Sequence, residues 1–543
     1  MDTAIERRVR AKRRIVPANR PRNVITTRLS ILDATVARFS PCGAIWFYDK
    51  VEGLDANDPV VFNRLESALL ETLDDYPHFV GQLQWATKQD VEEAINPRYV
   101  GRPIVTHGCS DDPGVELIIV EDSRELNTIV PSVVERSTSK RIWDASSLRQ
   151  SDYLPDTALA FSNLAEYIGL PGVAVQLTAF KCGGFAFVHS WADRSRVLFN
   201  DGDVGKPAER LRALFDPQLL DAHAKLDPQA TEPDAERIQR TRSLPMHRFD
   251  WWATDAPGYP SWATASSNAT KPSPEELSQT QLSPSTYPPW PTWDLSAAVT
   301  HMQIRFSATE VGKMKTAAMS TLPSDSQGQV VSRQDALLAH LWILVNRARR
   351  LENLNEQVYM DVTLGLRSRV SPPLPDSFVG SPILLAYVTK TGADAATGTI
   401  GTIAGAIRQT VSQFDSRAVS DYIYEASHEV SPQRLWQSFL GSRHVLVTSW
   451  ARAQTYEVDF CGTGLARYVQ AQMPLMDGLL QLMDVGGTGD FDVSLALEKG
   501  TMERLLQDPM LRAYDESPLI NDWTQQTATS RSNLGINRVI TEI

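Results

Sequence analysis

The sequence predicts an α/β (α+β) protein with two domains that are joined by a long crossover. Three observations support this prediction. The chain has 543 residues, which is enough for two domains with separate cores. Apolar runs with strand and helix periods alternate in both halves of the chain. A stretch rich in proline, serine and threonine lies between the halves, as expected for an interdomain connection.

These composition changes also predict the boundaries. The first residues are arginine-rich, and we expect a solvated lead-in there, although a targeting peptide or a contact with an acidic partner stays open. The expected segments are a flexible basic N-terminus (1–28), an N-terminal domain (29–215), the crossover (216–297), a C-terminal domain (298–513) and a polar tail (514–543).

The first half begins with a predicted strand and an amphipathic helix. Leu65, Leu69 and Leu73 recur at helical spacing, so one face of that helix is expected to pack on a sheet. The predicted elements of this half are strand Ala44–Tyr48, helix Phe62–Leu73, strand Leu117–Val120, a short helix Asn163–Ile168 and a strand that starts at Val173.

The second half repeats the alternation. Ser332 and Asp335 form a capping-box-like start for a long helix, and a glycine-rich stretch before Phe491 predicts a hairpin turn. The predicted elements are strand Met302–Ser307, a helix from Ser332 to Arg350, and strands Val358–Leu366, Val445–Trp450 and Phe491–Leu497. A closing helix, Met502–Leu511, follows.

Composition excludes several classes of protein. A net charge of −12 argues against a general nucleic-acid binder, which needs a basic surface. The four cysteines lie far apart without a C-x-x-C pair, so we expect neither a metal site nor a disulfide framework, and we expect a reducing, cytoplasmic location. The sequence holds no apolar run long enough to span a membrane, so no membrane partner is expected.

The best candidate for chemistry is the stretch VAVQLTAFKCGGFAFVHSWAD, which ends at Asp193. The spacing His-x-x-x-Asp occurs three times in the chain, starting at His107, His189 and His223. His189 alone follows a short apolar strand, whereas the other two lie in a polar loop and in an exposed helix by their sequence context. An imidazole held at the end of a buried strand is suited to general base catalysis.

The crossover contains five of the thirteen tryptophans: Trp251, Trp252, Trp262, Trp290 and Trp293. Disordered linkers are poor in aromatic residues, so parts of this segment are expected to pack on the body of the protein. Two interpretations stay open. The rings could fasten the crossover to the surface, or they could wall an acceptor pocket for an aromatic or polycyclic molecule.

Four motifs carry a resemblance to a known family. They are QLTAFKCGGFAFVHSWAD up to Asp193, the stretch from Gly365 through Pro-Pro-Leu-Pro375, the Thr448-Ser-Trp450 strand end, and Asp459-Phe460. In this order they resemble the BAHD (HXXXD-type) CoA-dependent acyltransferases, above all the fungal members. The resemblance implies two chloramphenicol-acetyltransferase-like domains, each a mixed β-sheet with flanking helices.

The resemblance also assigns the motif histidine and its neighbours. It implies that His189 deprotonates the acceptor. Asp193 could orient the imidazole like a triad acid, but the family favours an ion pair with an arginine that holds the loop. Arg367 is then the first candidate partner and Arg369 the second, because a planar guanidinium suits a carboxylate. The usual glycine after the motif aspartate is Arg194 here.

The third and fourth motifs are assigned in the same way. Thr448 and Trp450 would face the reacting carbonyl, where a hydroxyl and an indole N–H can stabilise an oxyanion. A core role for the tryptophan stays open. Asp459 would have a structural role, and the residues after Phe460 depart from the family's pattern.

The resemblance implies a cytoplasmic, monomeric O-acyltransferase of secondary metabolism. It would move an acyl group, with acetyl expected, from acyl-CoA as co-substrate to a hydroxyl of a small-molecule alcohol, without a metal. Two alternatives stay open. One is the same fold with a carrier-protein thioester, or with a step other than acyl transfer on a polyketide or alkaloid. The other is a binding protein with a decayed site.

Overall fold

The structure is a computed structural model of the full chain. It describes residues 7–17, 19, 23–37, 42–50, 58–91, 101–182, 213–230, 232–324, 328–460 and 465–515. Within these ranges, every helix is too short or too polar to cross a bilayer.

Strands occur in both halves of the chain. In chain order they are β1 Arg7–Ile15, β2 Ile25–Arg28, β3 Ala44–Phe47, β4 Gln82–Trp85, β5 Pro103–His107, β6 Val115–Asp122, β7 Ile142–Asp144, β8 Ala174–Phe180, β9 Phe249–Asp250, β10 Val299–Phe306, β11 Gln357–Gly365, β12 Ile383–Thr391, β13 Leu435–Trp436, β14 His444–Ser449, β15 Tyr468–Ala471, β16 Leu479–Asp484 and β17 Phe491–Glu498.

α-Helices also occur in both halves of the chain. In chain order they are α1 Ile31–Val36, α2 Pro59–Asp75, α3 Val133–Ser137, α4 Pro217–Asp221, α5 Ala235–Arg242, α6 Thr264–Ala269, α7 Pro274–Ser278, α8 Ala308–Ser320, α9 Arg333–Ala348, α10 Gly392–Thr397, α11 Ile400–Ser412, α12 Ser416–His428 and α13 Lys499–Gln507. Short 3₁₀ turns link several of these elements, for example Pro77–Val80 and Trp290–Thr292.

A seven-stranded mixed sheet organises the second half, in the order β12-β11-β14-β16-β17-β10-β7. β14 runs parallel to both of its neighbours, and the remaining pairs are antiparallel. One face carries the apolar side chains of alternate positions, such as Val445 and Val447, and these join the core formed with helices α8, α9 and α11. The other face is turned toward the first half and the crossover.

The first half contains smaller sheets. β1-β6-β8 form one sheet and β2-β5-β4 another. β8 lies parallel to β6 and is buried from Val175 to Phe180. Helix α2 begins at a proline after the N-cap Asp58, and its leucines at positions 65, 69 and 73 enter the first-half core, as the spacing predicts.

The two halves exchange strands. β7 comes from the first half and pairs with β10 at the edge of the large sheet. β15 comes from the second half and pairs with β3. A buried ion pair also crosses this boundary, because Nη1 of Arg136 in the first half donates to Oδ2 of Asp492 in the second half over 2.6 Å. The halves therefore share one interface through backbone as well as side-chain contacts.

The crossover is fixed to helix α12 by ion pairs. Arg237 and Arg240 each donate to Asp421, over 2.7 Å. Arg248 donates to Glu425 and Glu429, over 3.0 Å in both cases. These carboxylates are nearly inaccessible to solvent, so loss of all the arginine partners of one carboxylate would leave a buried charge without compensation. The predicted crossover is thus an ordered part of the molecule over its described length.

Most of the predicted elements are confirmed, with bounds that differ by a few residues. The capping box at Ser332 and Asp335 starts α9, and the hairpin before Phe491 joins β16 to β17. The predicted closing helix is confirmed for its first part, as α13; the chain then turns at Pro509 into a 3₁₀ segment. The domain boundaries themselves remain predictions.

Four predictions of local structure are wrong. The expected polar loop at His107 is the end of strand β5, and the expected exposed helix at His223 is a 3₁₀ turn in which the His223 side chain is buried. Residues 7–15 of the expected flexible N-terminus form β1, because β6 supplies a backbone ladder and acids such as Glu116 and Glu66 neutralise its cations. Residues 163–168 form turns rather than a helix. There the Asn163 side chain accepts from the backbone N–H of Ala165, which competes with helix formation.

Candidate active site

Strand β8 delivers the chain to the predicted motif. Its residues alternate across a buried strand, and Phe180 packs with Phe47 and Tyr153 in the first-half core. The chain continues through a turn at Lys181 and Cys182. His189 and Asp193 lie outside the described residues, so their side-chain geometry stays a prediction.

Strand β14 leads into the third motif, Thr448-Ser-Trp450, on the opposite side of the interface. Leu446, Thr448 and Trp450 alternate with core residues, so they lie on the sheet face away from the helices. Thr448 and Trp450 are both half-buried. The Trp450 backbone N–H donates to the Leu482 carbonyl over 2.8 Å, which extends the pairing with β16 beyond the strand end.

A row of polar side chains crosses this face of the sheet. Thr448, Gln481, Ser494 and Gln303 stand opposite one another in register on β14, β16, β17 and β10, and we call them the polar row. On one side of the row Leu446 belongs to the tryptophan-rich cluster of the crossover. On the other side Trp450 packs against the first-half core. The polar row therefore lies where the crossover, the sheet and the first half meet.

Gln470 of β15 closes the polar row from the other side. Its Oε1 accepts from Gln303 over 2.7 Å and from Ser494 over 3.0 Å, and its Nε2 donates to Gln481 over 2.9 Å. The Tyr468 hydroxyl donates to the same Oε1. Burial raises the pKa of Tyr468 well above its usual range, so that hydroxyl stays a donor. The network holds the facing strands in one arrangement.

His301 ends this network at β10. Its Nε2 lies 3.1 Å from the Gln303 amide nitrogen. Burial lowers the pKa of His301 to about 4, so the ring is neutral near pH 7 and can accept from the amide. The sequence analysis missed these residues. A signal was present for two of them, because Gln470 and Gln481 each interrupt a run of apolar residues in a strand.

The two predicted support arginines diverge after β11. Arg367 donates to the Pro375 and Phe378 carbonyls, over 3.1 and 2.7 Å, and so fixes the Pro-Pro-Leu-Pro loop. Arg369 donates to the Val411 and Phe414 carbonyls at the C-terminal end of α11. The structure therefore gives each guanidinium a backbone role, and the proposed pairing with Asp193 stays a prediction.

Asp459 lies in a segment that packs onto β3 of the first half. The Tyr48 hydroxyl donates to the Val458 carbonyl over 2.7 Å, and the Tyr48 and Phe460 rings meet edge to face at 5.8 Å. The Trp46 indole N–H donates to the Thr455 carbonyl over 2.8 Å. These contacts support a structural role for the segment that contains Asp459.

Four of the five crossover tryptophans are buried, as the sequence predicts for a segment that packs on the body. Trp251, Trp252, Trp290 and Trp293 join the cluster that covers the sheet beside Leu446, whereas Trp262 is 58% exposed. The centroid of the Trp290 ring lies 6.1 Å from that of Trp293 and 5.4 Å from that of Trp436. Such packing favours the interpretation that the buried rings fasten the crossover to the protein surface, rather than the interpretation that they wall an acceptor pocket.

One group of described residues has the composition of a metal site. One potential ligand atom from each of His247, Asp361 and His444 lies within 4.8 Å of the other two, and all three residues are buried. They come from the crossover, β11 and β14. No local spacing in the sequence joins them, which is why the sequence analysis expected no metal.

Comparisons with known proteins agree with this architecture. A family model described as "Transferase family" matches residues 255–511. Acyltransferase AFT15-1 of Alternaria alternata is 25% identical over 515 residues, which cover 89% of this chain and 92% of that protein. Trichothecene 3-O-acetyltransferase TRI101 of Fusarium sporotrichioides is 26% identical over 215 residues, which cover 38% of this chain and 46% of that protein.

Solved structures show the same fold. TRI101 of F. graminearum, complexed with coenzyme A and deoxynivalenol, has a TM-score of 0.62 at 16% identity, over 89% of this chain and 98% of that one. Vinorine synthase has a TM-score of 0.55 at 17% identity, over 92% and 98% of the two chains. The fold is thus that of the two-domain acyltransferases, with two chloramphenicol-acetyltransferase-like halves. The family-model match, the fungal acyltransferase relatives and the structural neighbours together support the resemblance to the BAHD acyltransferases.

Proposed function

We propose that the protein transfers an acyl group, with acetyl expected, from acyl-CoA to a hydroxyl of a small-molecule secondary metabolite. His189 is the general base in this proposal. Acyl transfer to small molecules is the activity for which its relatives are named, and TRI101 is complexed with coenzyme A.

One observation of the structure supports the proposal most. Cys182, seven residues before His189, and Trp450 pack against the same first-half core. Strand β8, which precedes the His189 motif, thus approaches the first-half core from one half of the chain. The end of β14, which carries the proposed donors, approaches the same core from the other half. A base between the halves could receive the two substrates from different sides.

The proposed reaction needs neither a metal nor a covalent enzyme intermediate. His189 takes the proton of the acceptor hydroxyl, and the oxygen attacks the thioester carbonyl. The negative charge moves to the carbonyl oxygen, where the Thr448 hydroxyl and the Trp450 indole N–H would donate hydrogen bonds. The intermediate then expels the CoA sulfur, which receives the proton from the imidazolium.

The fixed network behind Thr448 suits this role. Gln481 stands opposite Thr448 in register, and its own amide is held by Gln470 and by the Ala471 and Gln472 carbonyls. A donor on such a strand keeps its position without reorganisation when charge develops. Arg367, Arg369 and Asp459 would support the loops around the site, through the backbone contacts described above.

Thiol release from acetyl-CoA tests the donor. Purified protein is incubated with acetyl-CoA and a panel of polycyclic alcohols, and free CoA thiol and acetylated product are measured. We expect release that depends on the added alcohol, together with a higher melting temperature in CoA, because a ligand of the folded state stabilises it. Absence of both effects would contradict the CoA proposal and favour a carrier-protein thioester or a decayed site.

A further inference from the structure

The group formed by His247, Asp361 and His444 lies apart from the polar row. His247 follows helix α5 in the crossover, Asp361 is central in β11, and His444 begins β14. The Asp361 side chain is fully buried, and both imidazoles are nearly so. Three groups that metals prefer are thus placed together in a dry interior.

The geometry within the group is that of converging ligands. The Nε2 atom of His247 lies 3.0 Å from Oδ1 of Asp361, and Nδ1 of His444 lies 3.5 Å from Oδ2. Neighbouring ligands of a tetrahedral zinc ion lie about 3.3 Å apart, given bonds of about 2.0 Å. His247 Nε2, Asp361 Oδ1 and His444 Nδ1 are also all buried without a hydrogen-bond partner.

The surrounding residues fix these ligands. The Phe439 backbone N–H donates to Oδ2 of Asp361 over 2.9 Å, which leaves Oδ1 for another partner. The His247 ring stacks on Tyr387 and the His444 ring stacks on Tyr359, with centroid distances of 4.5 and 4.8 Å. Such outer contacts hold metal-binding side chains in one orientation.

A small cavity on the crossover side reaches His247, one of the three residues of the group. It has a volume of about 30 Å³ and is lined by His247, Met246, Tyr422 and Gln437, among others. That space suits about one water molecule. A fourth ligand could therefore come from solvent.

A hydrogen-bonded pair of histidine and aspartate is the competing explanation. The 3.0 Å between His247 Nε2 and Asp361 Oδ1 is short enough for such a bond, but neither atom has a partner with full hydrogen-bond geometry, and His444 Nδ1 is 3.5 Å from Oδ2. A buried carboxylate left in this state would be costly. A cation shared by the three atoms satisfies all of them at once.

We propose that His247, Asp361 and His444 bind a zinc ion that fastens the crossover to the central sheet. Two imidazoles and one carboxylate form a ligand set that suits zinc, and hard cations such as Mg²⁺ prefer oxygen ligands alone. The ion would join a crossover residue to two parallel neighbouring strands. It would act on folding, and the proposed acyl transfer does not depend on it.

Metal content of the full-length protein tests this proposal. The protein is expressed with added zinc sulfate, dialysed, and analysed by elemental mass spectrometry. We expect about one zinc per chain in the wild type and less than a tenth of that in Asp361→Asn. Asn retains an oxygen for the Phe439 N–H but carries no charge. The matched control is His340→Gln, which changes a buried histidine elsewhere and is expected to keep the zinc.

Two further readouts do not depend on the stability of a variant. A chelator should lower the melting temperature of the wild type, and zinc should restore it. Cobalt added to the metal-free wild type should give the visible absorption of a tetrahedral site. Wild-type protein without zinc, without a chelator effect and without cobalt absorption would overturn the proposal and leave a histidine–aspartate pair.

Discussion

Replacement of Gln470 by leucine should destabilise the folded protein by about 4 kcal/mol. The Gln470 side chain accepts from Gln303, Ser494 and Tyr468 and donates to Gln481 and to the Ala471 carbonyl. Leucine removes all five bonds at a fully buried position. At about 1 kcal/mol for each bond, and with part of the loss offset by apolar burial, the sum is about 4 kcal/mol.

Urea unfolding measures this loss through the free energy of the first transition, because two domains need not unfold together. Gln357→Leu is the matched control. Gln357 is exposed on β11 and accepts one bond from Thr389, so its replacement should change stability by less than about 0.5 kcal/mol. If Gln470→Leu fell within about 1 kcal/mol of this control, the network would not hold the facing strands together as described.

Three further predictions concern the donor strand, the buried histidines and the crossover. Thr448→Val keeps the side-chain shape and removes the hydroxyl, so kcat for acyl transfer should fall about 10²-fold with an unchanged melting temperature; an unchanged kcat would exclude the oxyanion role. Burial lowers the pKa of both His301 and His340 to about 4, so the unfolded state binds protons first as pH falls below 6.5. Each of these two histidines should contribute a loss of stability of up to about 2 kcal/mol between pH 6.5 and pH 5, and His340→Leu should remove its share from the pH dependence in urea titrations; an equal pH dependence in the variant would contradict the assignment. Trp290→Ala should cost about 3–5 kcal/mol in urea unfolding because the ring is buried among aromatic neighbours, and Trp262→Ala should cost less than about 1 kcal/mol; similar losses would contradict the packing described for the crossover.

Periodic patterns made most elements predictable. Local patterns predicted helices and strands that the structure contains. Examples are the leucines of α2, the capping box of α9 and the alternation in β8 and β14. The errors arose where the secondary structure depends on a local side-chain hydrogen bond or on a strand that is distant in the sequence. Asn163 favours a turn through its own side chain, and β1 forms because β6 and acids far along the chain are present.

The site was predictable where its residues form local motifs. Thr448 and Trp450 were found because their strand-end motif resembles that of the family, and the structure places them on the sheet face that meets the first half. The polar row and the three proposed zinc ligands could not be assembled in this way. Their members come from separate strands and from the crossover, so only the tertiary structure brings Gln303 to Gln470 or His247 to Asp361.

The activity of His189→Ala tests the central claim most directly. Thiol release from acetyl-CoA is measured with an accepted alcohol for the wild type, for this variant and for His223→Ala, which changes a second histidine with the same spacing to an aspartate. Circular dichroism checks that each variant is folded. We predict a loss of about 10³-fold for His189→Ala and near-normal turnover for His223→Ala. Turnover of a folded His189→Ala within tenfold of the wild type would contradict the account.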